Sequence, residues 1–387
     1  MSVTRVAVIG LGAISQSVHL PMLRRNAEDF EIAALVDLSA ERTADMGARY
    51  GVAADRRFSS VDALVAAKDD GVLAIDAAIL ATTGSHAGDT LRLVKAGIRV
   101  LAEKPLAYSI AELDALAAYA VDAGIDLRDW VRVGYMKEYD LASQHAKRLL
   151  ADVDLRAISV QVMHPLDGSQ LEYARLAART HDVSAEVLAP LIAATGTIVD
   201  SAVGADLPTD LRTLYTNVVL GSIVHDVGLL RMLVGGLGDV DFAQHWGPKM
   251  PGSVHLRGTL ARDDTPWTLD WHYIDGYPDY QETVTFHHET GTVELLFGVP
   301  YVTNLPTVLR VTESHPELGI RVSESRWMQQ EAFENELFAL AALVRGERPD
   351  GASVEESMAD VRVGQRMIRA LALSKGVTLD PGVEAAQ

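Results

Sequence analysis

Cysteine is absent from the 387 residues of the sequence, and long apolar runs are scarce. Without cysteine the chain cannot form disulfides, thiolate zinc sites, iron–sulfur clusters or a cysteine nucleophile. No apolar stretch approaches the roughly 20 residues needed to span a bilayer. The few residues before the first apolar run, Arg5–Ile9, leave no room for a cleavable signal peptide. We therefore expect a cytoplasmic protein with no membrane contact.

Three catalytic signatures and an excess of positive charge are also missing. The sequence has no HExxH spacing, no GxSxG elbow and no P-loop, so we expect no metal site, no serine hydrolase and no nucleoside triphosphatase. Its 34 lysines and arginines stand against 53 aspartates and glutamates, for a formal net charge of −19. Because this charge would repel a polyphosphate surface, we expect no nucleic-acid partner.

The first part of the chain alternates short β-branched runs with stretches of helical spacing. The runs are Arg5–Ile9, Glu31–Val36, Ala77–Leu80, Arg99–Leu101 and Val131–Tyr135. The helical stretches are Ile14–Arg25, Ala40–Tyr50, Val61–Lys68, His86–Ala96 and Ile110–Ala123. Apolar strands separated by amphipathic helices are typical of a parallel sheet covered on both faces. The pattern predicts an α/β fold with a doubly wound, Rossmann-type domain over residues 1–136.

The pattern changes in residues 137–387, where strands follow one another with few helices between them. Predicted strands are Leu155–Met163, Val240–Trp246, Ser253–Ala261, Trp267–Tyr273, Glu282–His287, Thr292–Phe297 and Thr307–Thr312. Predicted helices are Leu141–Leu150, Leu211–Val234, Met328–Arg345 and Val354–Leu373. This succession indicates an α+β domain with a mostly antiparallel open sheet. An alternative for the last helices is that they pack back on the first domain. Residues 164–210 contain no readable motif.

The strongest local signal is the turn Gly10-Leu11-Gly12-Ala13-Ile14-Ser15, between the first predicted strand and helix. Gly10 permits a tight turn, and Gly12 lets the backbone approach a pyrophosphate. The helix that begins near Ala13 and Ile14 presents free N–H groups to that anion. Ser15 stands where a third glycine is usual. The turn predicts a dinucleotide-binding site.

An acidic residue, Asp37, ends the second predicted strand. A carboxylate at this place can accept hydrogen bonds from both ribose hydroxyls and would repel a 2′-phosphate. No arginine follows it directly. The sequence therefore favours NAD over NADP as the cofactor.

A second signal is Ala102-Glu103-Lys104-Pro105, just after the fifth predicted strand. Residues at the carboxyl ends of parallel strands line the ligand crevice of such sheets. Lys104 there can donate to a substrate hydroxyl and favour its alkoxide as hydride leaves. A solvated lysine before a turn proline is the alternative interpretation.

With these landmarks in order, the chain resembles the glucose-fructose oxidoreductase and inositol dehydrogenase family, Gfo/Idh/MocA, over nearly its whole length. The similar segments are Gly10–Ser15, Ala81–His86, Val100–Ala107, Val133–Lys137 and Phe333–Met367. The resemblance implies that Ala81–His86 lies beside the nicotinamide half of the cofactor. On this basis we expect cofactor contacts from Thr82, Thr83, His86, Glu103 and Lys104.

The resemblance also implies an acid–base pair. The lysine of the family's EKP signature contacts substrate and nicotinamide ribose, which assigns Lys104, and a helix histidine exchanges the hydroxyl proton, which assigns His225. Histidine suits proton transfer because it titrates near neutral pH. Members often carry aspartates near this histidine where this sequence has Gly221 and Gly228. The missing carboxylates leave open which group orients His225.

Three further residues are candidates for substrate contact: Tyr135, Lys137 and Asp226. Lys137 stands where many members have a basic residue near the substrate, and a surface salt bridge is its alternative. Tyr135 could line the pocket or pack in the core. Asp226 follows His225, and neighbours on a helix point about 100° apart, so it is no obvious partner of the histidine.

Taken together, these residues predict an NAD(H)-dependent oxidoreductase that interconverts a secondary alcohol and a ketone on a sugar, inositol or related polyol. The sugar-type substrate comes from the resemblance. One alternative is a glycosidase that uses NAD for transient oxidation, which would hydrolyse its substrate with no net change in NADH. Others are a non-catalytic dinucleotide sensor and a dehydrogenase of a non-carbohydrate substrate. Family members generally associate through the open sheet, so we expect a homodimer or homotetramer.

Overall fold

The computed structural model describes residues 3–165, 172, 175–247, 249–317 and 319–379. The chain forms two compact units by the clustering of its contacts. The first contains Met1–Gly134, Ala174–Ala202 and Phe333–Met358, and the second contains Tyr135–Tyr173, Val203–Ala332 and Ala359–Gln387. The first segment of the first unit thus ends two residues before the predicted boundary at Met136, and two later segments join it.

A parallel sheet forms the centre of the first unit. Its described strands are β1 (Thr4–Ile9), β2 (Phe30–Val36), β3 (Arg57–Phe58), β4 (Ala77–Leu80), β5 (Arg99–Glu103) and β6 (Val131–Gly134). They pair in the order β3-β2-β1-β4-β5-β6, all parallel. This is the dinucleotide-binding order of doubly wound sheets, which confirms the predicted Rossmann fold. The two-residue strand β3 was not predicted.

Helices connect these strands, and their ends follow local capping signals. They are α1 (Leu20–Arg25), α2 (Ala40–Tyr50), α3 (Val61–Asp69), α4 (Ala87–Lys95) and α5 (Ile110–Ala123). A π-helical turn, Ser15–His19, precedes α1. The Ser39 hydroxyl caps α2, and a capping box between Ser109 and Glu112 begins α5. Such caps fix where each helix begins, and hence which residues face the carboxyl edge of the sheet.

The second unit is built on a larger sheet. Its strands among the described residues are β7 (Leu155–His164), β8 (Leu237–Trp246), β9 (Ser253–Leu260), β10 (Pro266–Tyr273), β11 (Gln281–His288), β12 (Gly291–Phe297), β13 (Val308–His315) and β14 (Gly319–Ser325). They pair in the order β14-β13-β12-β11-β7-β10-β9-β8. The β7–β10 pair is parallel and the others are antiparallel. The prediction of a mostly antiparallel sheet is confirmed.

Among the described residues, the other α-helices are α6 (Leu141–Leu150), α7 (Ala185–Val203), α8 (Thr209–Thr213), α9 (Val224–Val234), α10 (Ala332–Val344) and α11 (Val354–Ser374). A π-helical segment, Leu214–Ile223, joins α8 to α9. The predicted helix Leu211–Val234 is therefore three helical segments in series. Helix α10 begins later than predicted, at Ala332 rather than Met328.

In the part of the chain that the structure describes, two helical stretches are long and apolar enough to cross a membrane by length and composition alone. They are Ala185–Val203 and Thr209–Val234, with mean hydropathies of 1.4 and 1.5. The expectation that no apolar stretch approaches bilayer length is therefore wrong. The second stretch is 67% buried in the structure and the first is 17% buried. Burial on that scale is what a core helix of a globular unit shows, so the second stretch needs no membrane to cover it.

Candidate active site

The glycine-containing turn lies at the carboxyl edge of the first sheet, directly after β1. Gly10 has a φ of +85°, and a Cβ there would lie 2.6 Å from the backbone nitrogen of Thr82. Both the positive φ and the close approach of the loop after β4 therefore require glycine at this position. Ser15 is fully buried, and its hydroxyl donates to the Gly10 carbonyl at 2.5 Å. The small side chain that replaces the third glycine thus closes the turn on itself.

Gly12 differs from Gly10, because the protein's own packing does not require it. A Cβ at Gly12 would meet no atom within 4 Å, and the residue is exposed. Ala13 and Ile14 beside it are partly exposed. The open space is therefore a cradle that a Cβ would begin to fill, as expected where a backbone approaches a pyrophosphate closely. The loop fits a dinucleotide.

Asp37 follows β2 and faces this turn. One of its carboxylate oxygens accepts the N–H of Leu11 at 2.8 Å, and the other accepts the N–H of Ser39 at 2.9 Å. These bonds fix the carboxylate between the glycine turn and the N-terminus of α2. Each oxygen retains acceptor capacity, so the group can still receive ribose hydroxyls. The structure thus places Gly10, Gly12 and Asp37 together at one edge, as the sequence predicts.

The two loops expected beside the nicotinamide are joined by His86. Its Nδ1 lies 2.8 Å from the carbonyl oxygen of Pro105, and its Nε2 lies 3.0 Å from that of Thr82. The ring is buried. Thr82 is partly exposed and Thr83 is exposed. His86 therefore holds the loop after β4 against the loop after β5, and its direct contact with the cofactor stays a prediction.

Glu103 ends β5 and is also buried, whereas Lys104 after it is partly exposed. An oxygen of Glu103 lies 2.8 Å from Nε2 of His19, in the π-helical turn before α1. Burial raises the pKa of Glu103, but the hydrogen bond and charge of His19, with the charge of Lys104, lower it below its usual range. Glu103 thus anchors the strand that presents Lys104. His19 is not among the predicted site residues, although it lies one helical turn after Ser15 in the sequence.

His225 lies near the N-terminus of α9 in the second unit and is partly exposed. The ring of Tyr135 packs edge-on against it, with centroids 6.4 Å apart and an interplanar angle of 86°. Tyr135 itself is buried. Of the two alternatives for Tyr135, the geometry favours packing, and its contact with substrate stays a prediction.

Lys137 and Asp226 form a buried cluster with Glu282 and Tyr280, two residues that were not predicted as site residues. Lys137 Nζ donates to Asp226 at 2.7 Å and also to Glu282. The Tyr280 hydroxyl donates to the other oxygen of Glu282 at 2.7 Å. All four side chains are buried. The alternative of a surface salt bridge for Lys137 is therefore wrong, because its ion pairs are internal.

One cation and two carboxyls share this small volume, so their protonation is interdependent. Burial, followed by the charge of Glu282, raises the pKa of Asp226 well above its usual range. Burial also opposes the charge on Glu282, but Lys137 and the hydrogen bond from Asp226 lower its pKa. Within the cluster, Lys137 therefore favours the ionised form of Glu282, whereas burial and the charge of Glu282 oppose ionisation of Asp226.

Glu282 carries a signal that the sequence did contain. In β11 the buried positions are Glu282, Val284 and Phe286, which alternate with less buried ones. A carboxylate in phase with the apolar face of a strand indicates a buried, paired charge. Its partner on a distant segment could not be read from that pattern.

Gly228, one of the two positions where family members often have aspartate, is closely surrounded. A Cβ there would lie 3.2 Å from the Tyr135 ring and 3.3 Å from a carboxylate oxygen of Glu138. The same Glu138 oxygen accepts Arg231 at 2.6 Å, and Arg231 also donates to Asp360 at 2.9 Å. A carboxylate from another segment therefore stands beside the glycine.

In the described part of the chain, no group of three or more histidines and carboxylates is placed to hold a metal ion.

Comparisons with known proteins agree with the Rossmann-type fold of the first unit. Residues 4–128 match the model of a family described as oxidoreductase family, NAD-binding Rossmann fold. Over 161 residues the chain is 30% identical to a 4-carboxy-2-hydroxymuconate-6-semialdehyde dehydrogenase of Sphingobium sp., a match that covers 41% of this chain and 47% of that protein. The chain thus spans less than half the length of the curated relatives it matches, between 31% and 47%.

Solved structures share the fold over nearly the whole chain. A UDP-N-acetylglucosamine 3-dehydrogenase from Acidithiobacillus ferrooxidans is similar with a TM-score of 0.69 at 18% identity, covering 96% of this chain and 99% of that one. A 3-ketoreductase from Actinomadura kijaniata, in complex with NADP and TDP-benzene, has a TM-score of 0.65 at 17% identity and covers 96% and 98%. These matches agree with the resemblance of the chain to the Gfo/Idh/MocA oxidoreductase family, whose model covers residues 4–128.

Proposed function

We propose that the protein is an NAD(H)-dependent oxidoreductase that interconverts a secondary alcohol and a ketone on a sugar, inositol or related polyol. The observation that carries the proposal is the open backbone at Gly12 beside the fixed carboxylate of Asp37. Packing within the protein gives no reason for glycine there, whereas a bound dinucleotide does. The substrate class is supported by the family resemblance and by the sugar-nucleotide dehydrogenase among the similar structures.

Two side chains would assist the reaction. When bound, the nicotinamide dinucleotide supplies the hydride acceptor or donor. Lys104 would donate a hydrogen bond to the substrate oxygen and stabilise its developing negative charge. His225 would accept the hydroxyl proton during oxidation and return it during reduction. Lys137 and Asp226 bind each other inside the second unit, so their part in substrate binding would be to support the helix that carries His225.

A second candidate is a dehydrogenase of a non-carbohydrate carbonyl compound. It is favoured by the similarity to the semialdehyde dehydrogenase of Sphingobium sp.. The same cofactor site and the same lysine would serve either substrate. A panel that includes aliphatic and aromatic semialdehydes beside sugars and polyols separates the two candidates.

The test is turnover of purified protein with NAD⁺ and this panel, measured by NADH absorbance. We expect Lys104→Ala and His225→Ala each to lower kcat by at least about 100-fold, the range of general acid–base effects, while NADH binding persists. Lys147→Ala is the matched control, because Lys147 is an exposed lysine of α6. NADH binding with no reduction of NAD⁺ by any substrate would contradict the oxidoreductase proposal and favour the glycosidase or the sensor.

We further propose a cytoplasmic location and a homodimer or homotetramer, both of which rest on the family resemblance.

A further inference from the structure

A segment that carried no readable motif, residues 175–184, lies along the cofactor-binding edge of the first unit. The N–H of Ala177 donates to Gln16 at 2.8 Å, and the Gln16 amide donates to the Leu11 carbonyl in the glycine turn at 2.7 Å. The carbonyl of Ala178 accepts Arg42 of α2 at 2.9 Å. The segment is therefore tied both to the glycine turn and to α2.

Asp182 of this segment caps the N-terminus of α2. One oxygen of its carboxylate accepts the Ser39 hydroxyl at 2.6 Å, and the other accepts the N–H of Glu41 at 3.0 Å. These two hydrogen bonds lower the pKa of Asp182, so it is ionised at neutral pH. The carboxylate comes from 143 residues further along the chain than Ser39.

The position of this carboxylate matters for the 2′-oxygen of an adenine ribose. In dinucleotide-binding sheets the acidic residue that ends β2 contacts the ribose hydroxyls, and a 2′-phosphate would extend toward the residues that follow it. Asp37 occupies that acidic position, and it accepts the backbone N–H of Ser39. A helix N-terminus next to it would ordinarily offer free donors to a phosphate. In this protein Asp182 already accepts hydrogen bonds from the Ser39 hydroxyl and the Glu41 N–H.

The segment also binds a positively charged side chain near the N-terminus of α2. Arg42 is near the start of α2, where a guanidinium could pair with a 2′-phosphate. Its Nη2 instead donates to the carbonyl of Ala178. The segment thus adds a negative charge at the N-terminus of α2 and engages Arg42.

We propose that Asp182 is a specificity-determining residue that makes the protein select NAD(H) over NADP(H), by occupying the phosphate-binding donors of α2 with a carboxylate. Asp37 alone would disfavour the 2′-phosphate by repulsion. Asp182 adds a second repulsion and removes the hydrogen bonds that could compensate for it. The proposal rests on the proposed binding of a nicotinamide dinucleotide at the glycine turn.

The test is a fluorescence titration of NADH and NADPH into the wild type, Asp182→Asn and Asp182→Ala. Asp45→Asn is the matched control, because it removes the same charge from an exposed position of α2. We expect the wild type to bind NADH more tightly than NADPH. Both Asp182 variants should bind NADPH about tenfold more tightly than the wild type does, with NADH affinity changed less than about threefold. The gain should shrink as salt is added.

The possible outcomes distinguish a failure of the Asp182 proposal from a failure of the proposed dinucleotide binding. An unchanged ratio of NADPH to NADH affinity in both Asp182 variants would overturn the role of Asp182 while leaving dinucleotide binding intact. Equal loss of both affinities, with unchanged thermal melting, would also overturn it, because a merely structural cap affects both cofactors alike. The same gain in Asp45→Asn would assign the effect to net charge and refute the local role. A wild type that binds neither NADH nor NADPH would refute the proposed function itself.

Discussion

Removal of the cation from the buried cluster of the second unit should destabilise that unit strongly. Lys137→Met keeps an unbranched apolar side chain but removes the ammonium group, which leaves Glu282 without its ion-pair partner. Breaking a buried pair by removing one partner costs about 3–5 kcal/mol. For a unit of this size that cost corresponds to a fall in melting temperature of about 10 °C.

The loss of stability in Lys137→Met should depend on pH, and the direction of that dependence follows from proton linkage. Without Lys137, burial holds the pKa of Glu282 in the folded state above its value in the unfolded chain. A group with a raised folded pKa contributes its full stability below the unfolded pKa and loses it as pH rises through the folded pKa. The melting temperature of Lys137→Met should therefore lie closer to that of the wild type at pH 5 than at pH 8.

Two further variants serve as controls, with thermal melting followed by circular dichroism at both pH values. Asp226→Asn should stay within about 1 kcal/mol of the wild type, because burial and the charge of Glu282 already disfavour the ionised form of the carboxyl it replaces and an amide preserves its hydrogen bonds. Lys137→Met combined with Glu282→Gln should recover most of the loss, since both members of this buried ion pair are then removed together. A Lys137→Met protein as stable as the wild type at pH 8, or equally weakened at both pH values, would refute this account of the cluster.

Two other predictions concern the glycine turn and the assembly. Gly12→Ala adds a Cβ that meets no atom within 4 Å, so melting should be unchanged while NADH affinity falls at least about tenfold. Gly10→Ala places a Cβ 2.6 Å from the backbone nitrogen of Thr82 at a φ of +85°. This substitution should lower the free energy of unfolding by about 1–3 kcal/mol or more. Equal effects of the two substitutions on melting and on NADH affinity would contradict the inference that packing requires glycine at position 10 but not at position 12. Size-exclusion chromatography with light scattering should give a dimer or tetramer, and a monomer at micromolar concentration would refute the proposed assembly.

The sequence predicted the elements whose pattern is local. Strands β1, β2, β4 and β5 are short and buried, with helices of clear spacing between them, so their alternation was readable. Strand β14 was missed because nearly all of its residues are exposed, which leaves no alternation of apolar and polar positions to detect. Strand β3, with two residues, is too short to show any periodicity.

The candidate site divides in the same way. Gly10, Gly12 and Asp37 were predicted because adjacent strands bring their ends to one edge, and their spacing in the sequence reflects this. Glu282 and Asp182 were missed, since their partners are 145 and 143 residues away. Pairing across such separations depends on the packing of the whole unit, which single-sequence periodicity does not contain.

The measurement that tests the central claim most directly is a titration of NADH into the purified wild type, followed by NADH fluorescence, with Gly12→Ala measured in parallel. The account predicts saturable binding of one NADH per chain by the wild type and weaker binding by the equally stable variant. No binding by the wild type, or identical affinities for the two proteins, would contradict the claim that the turn at Gly10–Ser15 is a dinucleotide site.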